Sequence, residues 1–304
     1  MTEVRVRAPA KVNLALRILG RRPSGFHDLE TVFQAVDLCD DLVVRTRTAP
    51  GVGLVVHGAD VGPPADNLVV RAAEAFLAAA GGEGGVEVEL TKRIPAGAGL
   101  GGGSSHAGAT LRALDALWPG AVAGPALRAI AADLGSDVPF FLGEAGRALG
   151  RGRGEVLTPL APLPPAVLVL GLPPVHVATG PAYGALARAR AAGGGRVPPP
   201  LYRRDAGDVP TDWAGVAAGA VNDFEATVTA SSPPVARALA ALRDAEPRFA
   251  LLSGSGAAVF AVYDDEAAAE RRRGRAAAAC PDTTFVTATT LARMPGLNGP
   301  GAPV

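Results

Sequence analysis

The run Pro95-Ala96-Gly97-Ala98-Gly99-Leu100-Gly101-Gly102-Gly103-Ser104-Ser105 constrains this chain more than any other stretch. Five of its eleven residues are glycine and two are serine. Glycine lets a backbone approach a ligand closely and turn successive N–H groups towards one point. The run lies between the alternating segment Val86-Glu87-Val88-Glu89-Leu90, which reads as a strand, and a helical pattern over 106–117. A helix N-terminus adds unpaired N–H donors and a partial positive charge. Strand, glycine loop and serine-capped helix together predict an anion site, for which phosphate is the best-matched ligand.

Spacing excludes two other glycine loops. The Walker loop needs Lys and then Ser or Thr after its last glycine, whereas Gly103 is followed by Ser104 and Ser105. Gly97, Gly99 and Gly102 satisfy G-x-G-x-x-G, but a dinucleotide site also needs an acid about 20 residues on, closing a second strand. The candidate, Asp115, lies inside the helical pattern instead. A flexible linker is the weaker reading, since linkers are rarely framed by a strand and a capped helix.

With 304 residues, 48% of them hydrophobic and 19% charged, the chain can bury a full core as one large domain or two lobes. Its 29 basic and 29 acidic side chains cancel. Proteins that neutralise many nucleic-acid phosphates are usually basic, so the balance favours a small ligand over nucleic acid. Met1-Thr2-Glu3-Val4-Arg5 has no apolar signal core. The apolar run over 166–172 is too short to span a bilayer and ends in Pro173-Pro174. Cys39 and Cys280 fit neither a metal nor a disulfide framework. The expectation is a cytoplasmic protein with no membrane or nucleic-acid partner.

Val4 and Val6 alternate, as do Val12, Leu14, Leu16 and Ile18, in the manner of half-buried strands. Residues 41–47 and 53–57 read as a strand pair around the turn signal Ala49-Pro50-Gly51. A helix over 67–80, capped by Asp66, precedes the glycine loop. Another helix over 126–134 stops at Gly135. After Leu163-Pro164-Pro165 the pattern restarts. A buried strand over 166–170, a helix over 181–190 and a Gly/Pro/Arg-rich connection over 191–212, expected exposed and mobile, come first. A helix over 234–244 follows, then strands over 249–252 and 257–263 split by Ser253-Gly254-Ser255-Gly256, an Ala/Arg/Glu helix and a strand near 284–287. The tail over 291–304 reads as disordered, and no internal repeat is visible. These elements predict an α+β protein of two lobes.

Lys11 and Asn13 lie two residues apart on a strand and therefore share a face. Together they suit a charged group and a hydroxyl, although such a pair is more often just the wet face of a sheet. Gly25-Phe26-His27-Asp28 sets an aromatic pair after a turn. Asp137, beside the apolar run Val138-Pro139-Phe140-Phe141, suits either a helix N-cap or a proton acceptor.

Taken in order, Pro9-Ala10-Lys11-Val12-Asn13-Leu14, Gly25-Phe26-His27, Phe33-Gln34, the run from Ile94 to Ser105, Gly135-Ser136-Asp137-Val138-Pro139-Phe140-Phe141 and Leu252-Ser253-Gly254-Ser255-Gly256 form a recognisable series. The series closely resembles the 4-diphosphocytidyl-2-C-methyl-D-erythritol kinases of the GHMP kinase superfamily, over residues 4–263. The glycine loop and the Gly-Ser-Gly turn point only to the superfamily. Phe26-His27 and the Asp-Val-Pro-Phe-Phe segment narrow the resemblance to the diphosphocytidyl enzymes.

The resemblance implies the two-lobed GHMP fold: residues 1–162 as a lobe like domain 2 of ribosomal protein S5, and residues 163–290 as a ferredoxin-like lobe. It implies transfer of the γ-phosphoryl group of ATP to a 2-hydroxyl in the non-mevalonate isoprenoid pathway. By carry-over Asp137 is the base and Lys11 the catalytic cation, with residues 95–105 holding the ATP phosphates. Asn13, Phe26, His27, Thr179 and Tyr183 would contact a cytidine diphosphate substrate. Mg²⁺ is implied as the companion of ATP, with no protein ligand assigned. Chemistry agrees, because phosphoryl transfer needs mainly positioning and charge neutralisation. His106 departs from the family pattern, which has asparagine after the two serines, and Phe26 stands where tyrosine is common. Two rivals compete: another small-molecule GHMP kinase (homoserine, mevalonate or sugar), against which Phe26-His27 speaks, and a nucleotide-binding regulator without catalysis, against which Lys11 and Asp137 speak. Oligomeric state is left between monomer and weak dimer.

Overall fold

The computed structural model describes residues 2–59, 62–63, 66–82, 84–202 and 206–299. The alternation begun at Val4 and Val6 continues into one long strand, β1 (Glu3–Arg21). The chain turns back into β2 (His27–Arg47), and the two pair antiparallel with register shifts after Pro9, Asn13 and Ile18. Such bulges let a long ribbon twist without losing its pairing. Every residue of β1 from Ala8 to Leu16 is buried, so this strand is covered on both faces rather than half-buried. One face carries Lys11 and Asn13. The other sends Val12 and Leu14 into a core shared with Leu168, Leu170 and Phe260 of the second sheet.

β3 (Gly51–His57) does not form the expected hairpin with β2. Helix α1 (Leu68–Ala79) crosses over, and β4 (Gly85–Thr91) inserts between them, antiparallel to β2 and parallel to β3. The physical reason is that α1 buries Val69, Ala72, Ala73 and Phe76. A parallel crossover is the connection that lays such a helix on its own sheet. Asn67 rather than Asp66 caps α1, its side chain accepting from the Val69 N–H at 2.9 Å. Helix α2 (Gly102–Leu117) starts inside the glycine run, with Gly101 as N-cap at φ 73° and no side-chain cap. The expected serine cap is therefore replaced by a left-handed glycine. Helices α3 (Gly124–Leu134) and α4 (Val138–Leu142) and strands β5 (Arg147–Arg151) and β6 (Val156–Pro159) follow. Leu111 and Leu114 of α2 and Phe76 of α1 pack against Val6, Leu42, Val44 and Val88 in the first core.

The rest of the chain runs β7 (Val167–Leu172), α5 (Thr179–Ala192), α6 (Trp213–Gly219), β8 (Val221–Asn222), α7 (Glu225–Ser231) and α8 (Pro233–Arg243). Then come β9 (Phe249–Leu252), β10 (Val259–Tyr263), α9 (Glu266–Ala279), β11 (Thr284–Thr289) and β12 (Leu297–Asn298). β11, β7, β10 and β9 form, in that order, an antiparallel sheet. With helices after the first and third of its strands in the chain, this is the ferredoxin-like arrangement. The first sheet runs β12-β1-β2-β4-β3, with β5 on β2 and β8 on β1.

Two loop expectations are corrected. The tail is ordered as far as residue 299: Met294 is buried, its N–H donates to Glu144 O at 2.8 Å, and β12 pairs with Arg5 and Val6 of β1. A two-residue strand has no period by which to be found, so composition alone misread it. Residues 300–304 lie outside the described residues. The connection over 191–212 is also tied down where it is described. Tyr202 and Val209 are buried, and the N–H groups of Leu201 and Tyr202 donate to the buried Glu30 carboxylate at 2.8 and 3.0 Å. Cys39 and Cys280 are buried free thiols. Among the described residues no helix is long and apolar enough to cross a membrane.

Candidate active site

Gly97, Gly99 and Gly101 have φ of 65°, 78° and 73°, alternating with the buried Ala98 and Leu100. The apolar residues root the loop, and the left-handed glycines turn the backbone into a concave surface suited to an anion. A Cβ at Gly99 would stand 2.2 Å from Ser253 O of the turn after β9, and one at Gly101 would stand 3.1 Å from Lys11 Cγ and the Phe141 ring. Glycine is needed there twice over, for conformation and for space. The turn is tied back to the loop by Ser253 Oγ donating to Gly99 O at 3.1 Å and Ala258 N donating to Ala98 O at 2.9 Å.

A cavity of about 340 Å³ lies over the loop, lined by Asn67, Leu68, Lys92, loop residues 95–104 and His106. Ser105 is absent from it. Its hydroxyl is buried with no partner among the described residues and its N–H is spent on Gly101 O, so Ser105 packs within α2 rather than facing the cavity. The cause is the earlier helix start, which rotates Ser105 inward.

On the other side of the loop a larger cavity of about 730 Å³ is lined by Lys11, Asn13, Phe26, His27, Asp137, Thr179 and Tyr183 among others. Gly99 and Gly101 line both cavities, so the two meet at the loop. Lys11, on β1, is almost wholly buried, and its ammonium donates to Asn13 Oδ1 at 2.8 Å and stands 3.5 Å from Asp137 Oδ2. Asp137 begins α4 without using its side chain as a cap, which leaves the carboxylate in the cavity wall. The side chain therefore does not act as the cap of α4. Asn13 is more constrained than its place on the strand implies. Its Oδ1 accepts from Lys11 and from Gly254 N at 3.0 Å, and its Nδ2 donates to Thr31 Oγ1 at 2.7 Å. The amide thus orients the lysine and ties β1 to the Gly-Ser-Gly turn.

The aromatic residues do not act as a set of equal platforms. His27 stacks on Tyr183 with ring centroids 4.4 Å apart, and Phe224 meets Tyr183 edge-on. Phe26 is 54% exposed, with the Arg153 guanidinium over its ring. Burial, aided by Arg21 and Arg190, pushes the His27 pKa down, so the imidazole is neutral near pH 7 with one donor and one acceptor. Burial first, and then the Asp137 charge, push the Tyr183 phenol up to about 12. Thr179, at the start of α5, exchanges a hydrogen bond with Ser255 at 3.2 Å and so stands at the same turn. The structure therefore gathers Lys11, Asn13, Phe26, His27, Asp137, Thr179 and Tyr183 around one cavity.

Sequence reasoning missed Arg21, Thr31 and Arg153, which came together only through folding. It also missed the buried cluster of Asp40, Lys92 and His106 beside the smaller cavity. A signal for Asp40 existed: it shares its strand face with Leu42 and Val44, so a charge stood at a core position. Among the described residues no group of three or more His, Cys, Asp or Glu side chains is placed to hold a metal ion.

Residues 67–144 match the GHMP kinases N terminal domain and residues 211–282 match the GHMP kinases C terminal domain. A 4-diphosphocytidyl-2-C-methyl-D-erythritol kinase of Pelotomaculum thermopropionicum is 42% identical over 261 residues, 85% of this chain and 88% of the relative. One from Solibacter usitatus is 43% identical over 86% of this chain and 81% of the relative. A crystal structure of a 4-(cytidine 5'-diphospho)-2C-methyl-D-erythritol kinase superposes with a TM-score of 0.74 at 37% identity, covering 94% of this chain and 98% of that one.

Proposed function

Because this chain belongs to the 4-diphosphocytidyl-2-C-methyl-D-erythritol kinases, we propose that its two adjoining cavities hold ATP and the diphosphocytidyl alcohol on either side of the glycine loop. The enzyme is a GHMP phosphotransferase that moves the γ-phosphoryl group of ATP to the 2-hydroxyl of 4-diphosphocytidyl-2-C-methyl-D-erythritol. The observation that carries the proposal is the junction itself. Lys11 and Asp137 stand 3.5 Å apart in the larger cavity, and the Lys11 N–H donates to Leu100 O of the phosphate loop at 2.9 Å.

The N–H groups of the loop and of the first turn of α2 receive the phosphates. Asp137 accepts the proton of the attacking hydroxyl, whose oxygen bonds to the γ-phosphorus as the bond to the β-phosphate oxygen breaks, leaving ADP. Lys11 balances the charge spread over the transferring group, whose transition state is loose. Its ammonium is held by Asn13 rather than by solvent, so little reorganisation is needed when that charge develops. Mg²⁺ supplies further charge neutralisation when bound. Phosphate and water oxygens satisfy most of its shell. Asp66 and Ser104 in the smaller cavity and Asp137 in the larger are among the oxygen side chains that would help to hold it.

Phe26 offers the cytosine an exposed ring to stack on. His27, braced from behind by Tyr183, reads the pyrimidine edge with its donor and acceptor. This reading sets the enzyme in the cytoplasm with a small-molecule partner and no nucleic acid. ADP release measured with ATP alone, with the diphosphocytidyl alcohol, and with homoserine, mevalonate and galactose tests it. Turnover confined to the diphosphocytidyl substrate is expected. Turnover of another acceptor at equal efficiency, or none at all, overturns it.

A further inference from the structure

The Asp40 carboxylate is wholly buried on β2, and its four polar contacts cluster around the glycine loop. Oδ1 accepts the backbone N–H groups of Arg93 and, at 2.8 Å, Ile94. These are the last two residues before Pro95. Oδ2 accepts from Lys92 Nζ at 2.5 Å and lies 2.6 Å from His106 Nε2. His106 is the first residue after Ser105. One carboxylate thus grips the chain on both sides of the loop, residues 95–105, while Lys92 and His106 also line the cavity above it.

We infer that Asp40 is the positioning residue of the nucleotide site, and that His106 and Lys92 serve it by completing a buried clamp that holds the two ends of the phosphate loop at a fixed separation. The inference rests on the reading of that loop as the seat of the ATP phosphates. A requirement for stability alone explains the cluster poorly. Burying an ionised carboxylate is costly, and a buried ion pair is often no better for stability than apolar residues of the same volume. The position is also an unfavourable one for a negative charge, directly beneath a site for a polyanion. Geometry accounts for it. An apolar residue at position 40 offers no acceptor to two strand-end amides and no partner to a helix side chain, whereas a carboxylate has lone pairs for all of them.

Charge balance follows from the same contacts. Lys92 neutralises Asp40, which keeps the carboxylate from repelling phosphate. Lys92 Nζ also stands 3.4 Å from His106 Nε2. With Asp40 accepting from both, the imidazole carries a proton on Nε2. Burial, with the neighbouring ammonium, pushes the His106 pKa down against the Asp40 hydrogen bond and charge, which favours the neutral imidazole. The groups facing the histidine are then Asp40 from β2 and Lys92, the residue after β4. The cluster is neutral overall, so its contribution to nucleotide binding is shape rather than field.

The test uses the full chain and reads ATP affinity apart from everything else. His106→Leu removes the helix-side donor, His106→Asn keeps a donor amide, and Asp40→Asn keeps the shape while turning an NH₂ group towards Lys92 and His106. For each, calorimetric titration with ATP, KM for ATP, KM for the diphosphocytidyl acceptor, kcat and melting temperature are measured. His106→Leu is expected to weaken ATP binding about tenfold with the acceptor KM within twofold of wild type, and His106→Asn to recover most of the loss. Asp40→Asn is expected to weaken ATP binding more than His106→Leu. Should Asp40→Asn not fold, the histidine pair decides alone. The inference is overturned if ATP binding by His106→Leu stays within twofold of wild type, or if KM for both substrates and kcat worsen together. It is likewise overturned if His106→Asn fails to recover ATP affinity. A wild-type protein that binds ATP but ignores the diphosphocytidyl acceptor sinks the proposed substrate and leaves the clamp to be judged by the titrations. One that binds no ATP removes both.

Discussion

Replacing Lys11 by methionine separates charge from packing at the centre of the site. The side chain is only 5% exposed, and its ammonium has two oxygen neighbours, Asn13 Oδ1 at 2.8 Å and Asp137 Oδ2 at 3.5 Å. Methionine has nearly the same length and flexibility, so the volume beside Gly101 and Phe141 stays filled. No buried acceptor is orphaned, because Asn13 Oδ1 keeps the Gly254 N–H at 3.0 Å, and Asp137 is partly open to water. A costly buried ammonium is removed in exchange for a weak ion pair. Stability should therefore change by less than about 1 kcal/mol, and the melting temperature by no more than roughly 4 °C for a chain of this size. Catalysis should not be spared. A unit charge about 4 Å from the transferring group is worth roughly 4 kcal/mol at an effective dielectric near 20. At about 1.4 kcal/mol per tenfold in rate, and with the loop N–H groups sharing the load, kcat should fall about 10²- to 10³-fold. Initial rates at saturating ATP and acceptor give kcat, and thermal melting gives stability. A kcat within tenfold of wild type at unchanged melting temperature refutes the catalytic assignment. A melting temperature lower by about 10 °C or more makes Lys11 a packing element instead.

Asp137→Asn keeps the shape of the α4 terminus and removes the proton acceptor, so kcat should drop on the order of 10²-fold or more while folding is retained. Turnover close to wild type removes Asp137 from the chemistry. Gly101→Val should destroy ATP binding and also destabilise the fold. The residue sits at φ 73°, and a Cβ there meets Lys11 and the Phe141 ring, so a melting curve and a nucleotide titration that both match wild type contradict the loop geometry. Phe26→Ala should raise KM for the cytidine substrate by about 5- to 150-fold, given about 1–3 kcal/mol per stacked base, with ATP affinity intact. His27→Ala should also narrow the preference for cytidine over uridine analogues. A lowered melting temperature with unaltered base preference makes the histidine a turn anchor. For pH, the folded His106 pKa lies below its ordinary 6.5, so the unfolded chain takes up the proton first. Stability should be flat above about pH 6.5 and fall below it by up to about 1.4 kcal/mol per pH unit for this one proton, a slope that His106→Asn should remove. Asp40 acts lower. Burial raises its pKa, the His106, Arg93, Lys92 and Ile94 hydrogen bonds outweigh that, and the value is held at about 2, below 3.8. Its contribution is present above about pH 3.8 and disappears as pH falls towards 2.

Local geometry written in contiguous residues was legible without a structure. The glycine run, the Lys11–Asn13 pair sharing one face, and Asp137 at the head of an apolar helix are local patterns, because backbone freedom, strand periodicity and helix ends are properties of a few neighbouring residues. The two-lobed α+β class followed from such patterns too. Partnership between distant segments was not legible. β4 wedged between β2 and β3 because α1 needed a sheet to cover it, a competition that no turn signal at 49–51 records. The tail joined β1 through a two-residue strand, and residues 201–202 were captured by Glu30 from a strand some 170 residues earlier. Ser105 stands apart from the loop cavity because a left-handed Gly101 begins the helix earlier and its hydroxyl is buried. Asn13 became the brace of Lys11 only when the turn after β9 delivered the Gly254 N–H. Asp40 acquired its role when a strand end and a helix start converged on one buried carboxylate. Local periodicity reports which face of an element is apolar. Which other element meets that face is settled by the packing of the whole chain, where burial and hydrogen-bond satisfaction are decided together.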